Sequence, residues 1–129
     1  MYAKDIMTRD VITVGPTITI KNLAMVLIKN QISGAPVAGK NGKIIGVVSE
    51  ADIVAKKGKD VRTIMSTNII SVTEETPVEE IAQLMTTHRI KRLPVMRGED
   101  VVGIVSRADI VSAIALGKHI AIHTPVYDL

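Results

Sequence analysis

The spacing of apolar and polar positions changes period in a fixed order along the chain, and it does so twice. Val11-Ile12-Thr13-Val14 and Ile69-Ile70-Ser71-Val72 are short β-branched runs that suit brief strands. Each is followed by apolar residues at helical spacing: Ile20, Leu23, Ala24, Leu27 and Ile28 in the first case, Val78, Ile81, Ala82 and Met85 in the second. The second of these helices carries a clear start, with Thr76 as N-cap, Pro77 at the first helical position and Glu79 closing a capping box. The first lacks that signature, and Thr17 or Thr19 is left to cap it. Residues 35–38 and 92–96 then lead through Gly39-Lys40-Asn41-Gly42 and Arg97-Gly98-Glu99-Asp100 into residues 44–49 and 101–106, so each pair reads as a hairpin. Residues 50–57 and 107–116 read as closing helices, with Gly58 and Gly117 just past their ends.

The order repeats because the sequence does. A shift of 58 residues lays Ile6-Met7-Thr8 on Ile64-Met65-Ser66 and Pro36-Val37 on Pro94-Val95; beyond the first hairpin turn the offset becomes 57. Gly46-Val47-Val48-Ser49-Glu50-Ala51-Asp52-Ile53-Val54 and Gly103-Ile104-Val105-Ser106-Arg107-Ala108-Asp109-Ile110-Val111 agree at seven of nine positions. The expected organisation is a first copy at 1–58, a second at 59–117 and a tail at 118–129. Two copies are too few for a solenoid and should pack on each other as one pseudo-symmetric module. Each would be a β-α-β-β-α unit of an α/β (α+β) fold, with a right-handed parallel crossover, an antiparallel third strand and both helices on one face.

Composition narrows the function. The chain has 129 residues, enough for one domain that buries roughly two-thirds of its unfolded surface. Its hydrophobic content is 47%, but no apolar run approaches the roughly 18 residues of a membrane span. Lys4, Asp5, Arg9 and Asp10 interrupt any signal-peptide core, and a cytoplasmic location is expected. The absence of cysteine removes disulfides, thiolate metal sites and a cysteine nucleophile. The net charge of +3 is unevenly placed: eight Lys and Arg against four Asp and Glu in residues 1–58, eight against nine in residues 59–129. A basic excess can mark a nucleic-acid partner or scaffold, yet Tyr2 and Tyr127 are the only aromatic residues, and single-stranded nucleic acids need stacking platforms.

Ser-x-x-Asp, at Ser49 to Asp52 and Ser106 to Asp109, is the feature most capable of chemistry. It is a helix-capping signal worth on the order of 1 kcal/mol. It also places a carboxylate where a strand meets a helix, a suitable place for a polar ligand. The copies differ nearby: Arg89, Lys91 and Arg92 stand in the second where Gln31, Ser33 and Gly34 stand in the first. No glycine-rich phosphate loop, zinc pattern or serine-centred nucleophile motif occurs, so no catalytic residue is assigned. His119 and His123 are four apart, but no carboxylate or third ligand accompanies them, and no metal is assigned either. Ile120, Ile122, Val126 and Tyr127 suggest a tail that packs back on the module or on a partner chain.

The duplicated Ile-Met-Thr/Ser lead-in, the hydroxyl in the first strand, the Pro-Val after the first helix and Gly-hydrophobic-Val-Ser-x-Ala-Asp together resemble a tandem pair of CBS domains, a Bateman module, over residues 4–116. The resemblance implies a non-catalytic sensor that forms a homodimer and acts on a separate effector. It needs no cofactor, and binds as effector an adenosine-containing ligand such as AMP, ADP, ATP, S-adenosylmethionine or methylthioadenosine. It also implies that Asp52 and Asp109 accept from ribose hydroxyls, a role that suits a carboxylate facing a vicinal diol. Ser49 and Ser106 would bond ribose or phosphate. Adenine would lie on Ile12, Thr13, Pro36 and Val37 in one cleft and on Ile70, Ser71, Pro94 and Val95 in the other. Lys91 and Arg92 would hold phosphate, making the clefts unequal; the alternative is a solvated, charged strand start.

Overall fold

A computed structural model of the chain describes residues 1–117; residues 118–129, with the His119 and His123 pair and the apolar tail positions, lie outside the described residues. The first copy comprises α1 (Ala3–Ile6), α2 (Ile20–Asn30), β1 (Gly34–Ala38), β2 (Ile44–Ser49) and α3 (Glu50–Ala55). The second comprises α4 (Val61–Ile64), β3 (Val72–Thr73), α5 (Val78–His88), β4 (Arg92–Arg97), β5 (Asp100–Ser106) and α6 (Arg107–Ala115). In the second copy β3 runs parallel to β4 with Val72 opposite Val95, and β5 pairs antiparallel with β4, the topology expected from the pattern. Together the copies make an α+β fold.

The first copy has the same order with a weaker first strand. β1 and β2 pair antiparallel, but residues 11–14 contribute only a parallel bridge from Val14 to Val37. The residues after the bridge explain this. Gly15 has no side chain to pack and Pro16 has no N–H to donate, whereas the matching residues Thr73 and Glu74 let β3 continue one residue further. In the second copy pairing begins at Val72, so the expected strand over residues 69–72 is displaced towards Thr73.

Helix boundaries also moved. Thr19 caps α2 by accepting from the Asn22 N–H at 3.1 Å. Thr76 does not cap α5: its Oγ1 accepts from the Thr73 N–H at 3.0 Å, within the turn that leaves β3. Pro77, with extended backbone, stands at the cap and helical geometry starts at Val78. The α3 helix stops at Ala55 because Lys56 is extended (φ −119°, ψ 147°), short of the expected residue 57.

The lead-ins form the short helices α1 and α4, which the hydrophobic pattern did not announce, and each packs on the other copy. Thr8 bridges to Ile104 on β5, and Ser66 bridges to Val47 on β2. Ala3 and Lys4 donate to the carbonyls of Thr76 and Glu74, while Val61 and Arg62 donate to those of Ile18 and Pro16. Two apolar clusters result. Leu23, Leu27, Val37 and Val48 of the first copy are completed by Val61 and Ile64 of the second lead-in. Ile81, Met85, Val95 and Val105 of the second copy are completed by Ala3 and Met7 of the first. Glycines make the crossings possible: a Cβ on Gly46 would lie 2.8 Å from the Ser66 carbonyl oxygen, and one on Gly103 would lie 2.5 Å from the Met7 sulfur. Neither copy closes its core alone.

Candidate functional site

The sheet registers gather the sequence-derived residues at one end of each copy. Gly34 lies opposite Ser49 and Arg92 opposite Ser106, so the start of the β1 or β4 strand adjoins the strand-to-helix turn that carries the aspartate. The parallel contacts of Val14 with Val37 and of Val72 with Val95 bring the chain through Ile12 and Thr13, and through Ile70 and Ser71, alongside the same strand starts. Thr13 and Ser71 are exposed, and Ile12 and Ile70 half-buried. Val37 and Val95 are fully buried members of the two apolar clusters, so their side chains face the cores. Pro36 and Pro94 are buried beside them.

Both turns use the aspartate locally. Asp52 Oδ2 accepts from the Ser49 N–H at 2.9 Å, and Asp109 Oδ2 accepts from the Ser106 N–H at 2.8 Å. The reciprocal bond forms in the second copy, where the Asp109 N–H donates to Ser106 Oγ at 3.1 Å. In the first, Ser49 Oγ lies 3.4 Å from Asp52 Oδ2 instead. The capping alternative is therefore realised at both turns, and at Asp109 one carboxylate oxygen is left to spare.

Basic residues divide the two copies further. Lys91 is exposed, and its side chain makes no hydrogen bond or ion pair among the described residues. Arg92 crosses to the first copy, where its Nη2 donates to Ser33 Oγ. Gly34 is the position matching Arg92, and a Cβ there would meet Arg92 Nη1 at 2.6 Å, so one guanidinium fills the seam that two side chains could not share. Burial pulls the Arg92 pKa below its ordinary value, and the charge of Glu50 partly opposes this. The sequence sets Ser33 and Gly34 against Lys91 and Arg92 but does not show that Arg92 contacts them or feels Glu50; the pairing of Gly34 with Arg92 at the 58-residue offset was the available signal.

Two hollows in the surface are lined by neither aspartate. One of about 670 Å³ runs from Ile69, Ser71 and Thr73 to Ile44 of the first hairpin. The other, about 420 Å³, lies between α5 and α6 and is rimmed by Arg89, Lys91 and Arg107. Among the described residues no group of three or more His, Asp or Glu side chains could hold a metal ion, and no helix is long and apolar enough to cross a membrane.

A duplicated β-α-β-β-α unit with exchanged lead-ins and paired strand-to-helix turns defines a tandem-repeat module. The chain belongs to the CBS domain family, whose pattern matches residues 3–58 and 61–116. It is 35% identical over 111 residues to L-aspartate semialdehyde sulfurtransferase of Methanocaldococcus jannaschii, matching 83% of this chain but 22% of that protein. The chain thus spans about a fifth of that relative's length. Its fold is similar to the CBS domain pair of protein MJ0100 in complex with 5′-methylthioadenosine and S-adenosyl-L-methionine, at TM-score 0.87 and 33% identity, covering 92% of this chain and 98% of that one. It is also similar to CBSX2 in complex with AMP, at TM-score 0.83 and 26% identity, covering 92% and 98% of the two chains.

Proposed function

We propose that this chain is a non-catalytic, regulatory module that binds an adenosine-containing ligand at the ends of its two sheets and signals to a separate effector. The observation that carries this reading is Asp109. One of its oxygens is held by the Ser106 N–H, and the other has no partner among the described residues, at the sheet end where Ser71, Pro94 and Lys91 also converge. A fixed carboxylate with a spare oxygen suits a ribose diol, and Lys91 suits a phosphate attached to it. The adenosyl ligands in the complexes of MJ0100 and CBSX2 support the same class of ligand. Ile12, Thr13, Pro36, Ser49 and Asp52 would form the corresponding first cleft.

Exposed Met25 and Ile28 on α2, with Val111 and Ile114 on α6, support a homodimer that covers these helices. Calorimetric titration with AMP, ATP, 5′-methylthioadenosine and S-adenosylmethionine tests the ligand reading. Binding is expected for at least one of them, and Asp109→Ala should weaken it about tenfold, the loss of one or two charge-assisted hydrogen bonds. Unchanged affinity in Asp109→Ala, with folding intact, would remove Asp109 from the site. Lys91→Ala should weaken the phosphate-bearing ligands and spare 5′-methylthioadenosine.

A further inference from the structure

The two aspartates are equivalent in sequence and unequal in their bonding. Asp52 has both oxygens engaged: Oδ2 by Ser49, and Oδ1 by Lys56 Nζ at 2.9 Å. The same Nζ donates to the carbonyl of Ile64 at 3.0 Å, at the end of α4. Lys56 reaches both because α3 stops one residue before it, and a lysine four positions beyond an aspartate lies on the same side of the helix. In the second copy the matching position is Ala113, buried on α6, the helix that packs against α1. A lysine there would have to bury its charge, so the second copy has no such bond.

We propose that Lys56 is a specificity-determining residue that weakens diol binding in the first cleft, so that an adenosyl ligand fills the second cleft first. The inference rests on the ribose role given to the aspartates under Proposed function. A vicinal diol donates two hydrogen bonds, and Asp52 offers them an oxygen as open as that of Asp109 only after Lys56 has left. Departure breaks the ion pair and also leaves the Ile64 carbonyl without its donor. Lys56 remains 46% exposed, so water compensates part of that loss. The consequence is a graded preference between clefts, on the order of tenfold, and not exclusion.

Calorimetric titration with 5′-methylthioadenosine and with AMP separates the possibilities. The proteins compared are the wild type, Asp109→Ala, Lys56→Met and the double variant; Lys56→Met keeps the aliphatic stem, and thermal melts check that each is folded. The wild type should show a strong and a weak step, and Asp109→Ala should lose the strong one and bind only weakly. Adding Lys56→Met to Asp109→Ala should strengthen that remaining step about tenfold, and Lys56→Arg in its place should leave it weak. The proposal fails if the double variant binds no more tightly than Asp109→Ala. Loss of all binding in the wild type overturns the ribose reading itself, and this inference with it. A strong step that survives Asp109→Ala but responds to Asp52→Ala would reverse the order of the clefts and so overturn it too.

Discussion

The two copies share a fold and seven of nine residues at their turns, yet three differences between them fall where the copies touch. Gly34 faces Arg92, Lys56 matches Ala113, and Gly15-Pro16 matches Thr73-Glu74. Gly34 and Arg92 are equivalent positions that meet in the same space, so the large side chain on one side requires a small one on the other. Duplication supplied two copies of one scaffold, and packing made them unequal.

The strongest test of their interdependence lies in the cores. Leu23 and Ile81 occupy equivalent, fully buried positions in separate clusters. Replacing either by Ala should cost about 3 kcal/mol through lost burial and the cavity left behind. Because the lead-ins cross, both variants should still melt in one transition; two separated calorimetric transitions would show that the copies unfold independently.

The crossings themselves should respond unequally. A Cβ at Gly46 meets the Ser66 carbonyl oxygen, which is backbone in a bridge, whereas at Gly103 the three nearest atoms all belong to the Met7 side chain. Gly46→Ala should therefore destabilise by about 2 kcal/mol and Gly103→Ala by about 1 kcal/mol in urea unfolding. Equal losses would mean that Met7 cannot move aside.

At the seam, Gly34→Ala forces Arg92 from Ser33 and should cost about 1 kcal/mol. Combined with Arg92→Ala the penalty should shrink without vanishing, because the Val48 carbonyl oxygen also lies 2.9 Å from the added Cβ. A double-mutant cycle with no coupling would place Arg92 elsewhere in solution.

The smallest effect is electrostatic and confined to the second copy. Glu74 receives two bonds from Arg97 at 2.8 and 3.0 Å, and these hold its carboxyl below the usual carboxylate range against the opposing effect of desolvation. With a folded value below the unfolded one, the pair's contribution is present above the unfolded value and is lost as pH falls through the folded value. Arg97→Ala should return the Glu74 titration towards the ordinary carboxylate range, as read by NMR. The first copy has Pro16 and Gly39 at these positions and contributes nothing similar.

Most of the architecture was legible from apolar spacing, since strand and helix periods depend on neighbours close in the chain: both hairpins, all four longer helical segments and the duplication can be read that way. The Thr76 cap was misread because an oxygen that can cap a helix can equally close the preceding turn. The exchange of α1 and α4 was not legible, because Ile6-Met7-Thr8 and Ile64-Met65-Ser66 are too short to show a period, and nothing local says which core they enter.

The same division holds at the turns. That a serine and an aspartate would stand where a strand becomes a helix follows from three-residue spacing, and local hydrogen bonds enforce it in both copies. Whether the carboxylate is then open or occupied depends on residues from other elements: Lys56 and the Ile64 carbonyl at one turn, the buried Ala113 at the other. Arg92 likewise reads as a free cation along the chain, and becomes a bond between copies only when the two sheets meet. Local patterns specify the scaffold because their energies are local; the asymmetry of the clefts arises from contacts between segments that only folding brings together.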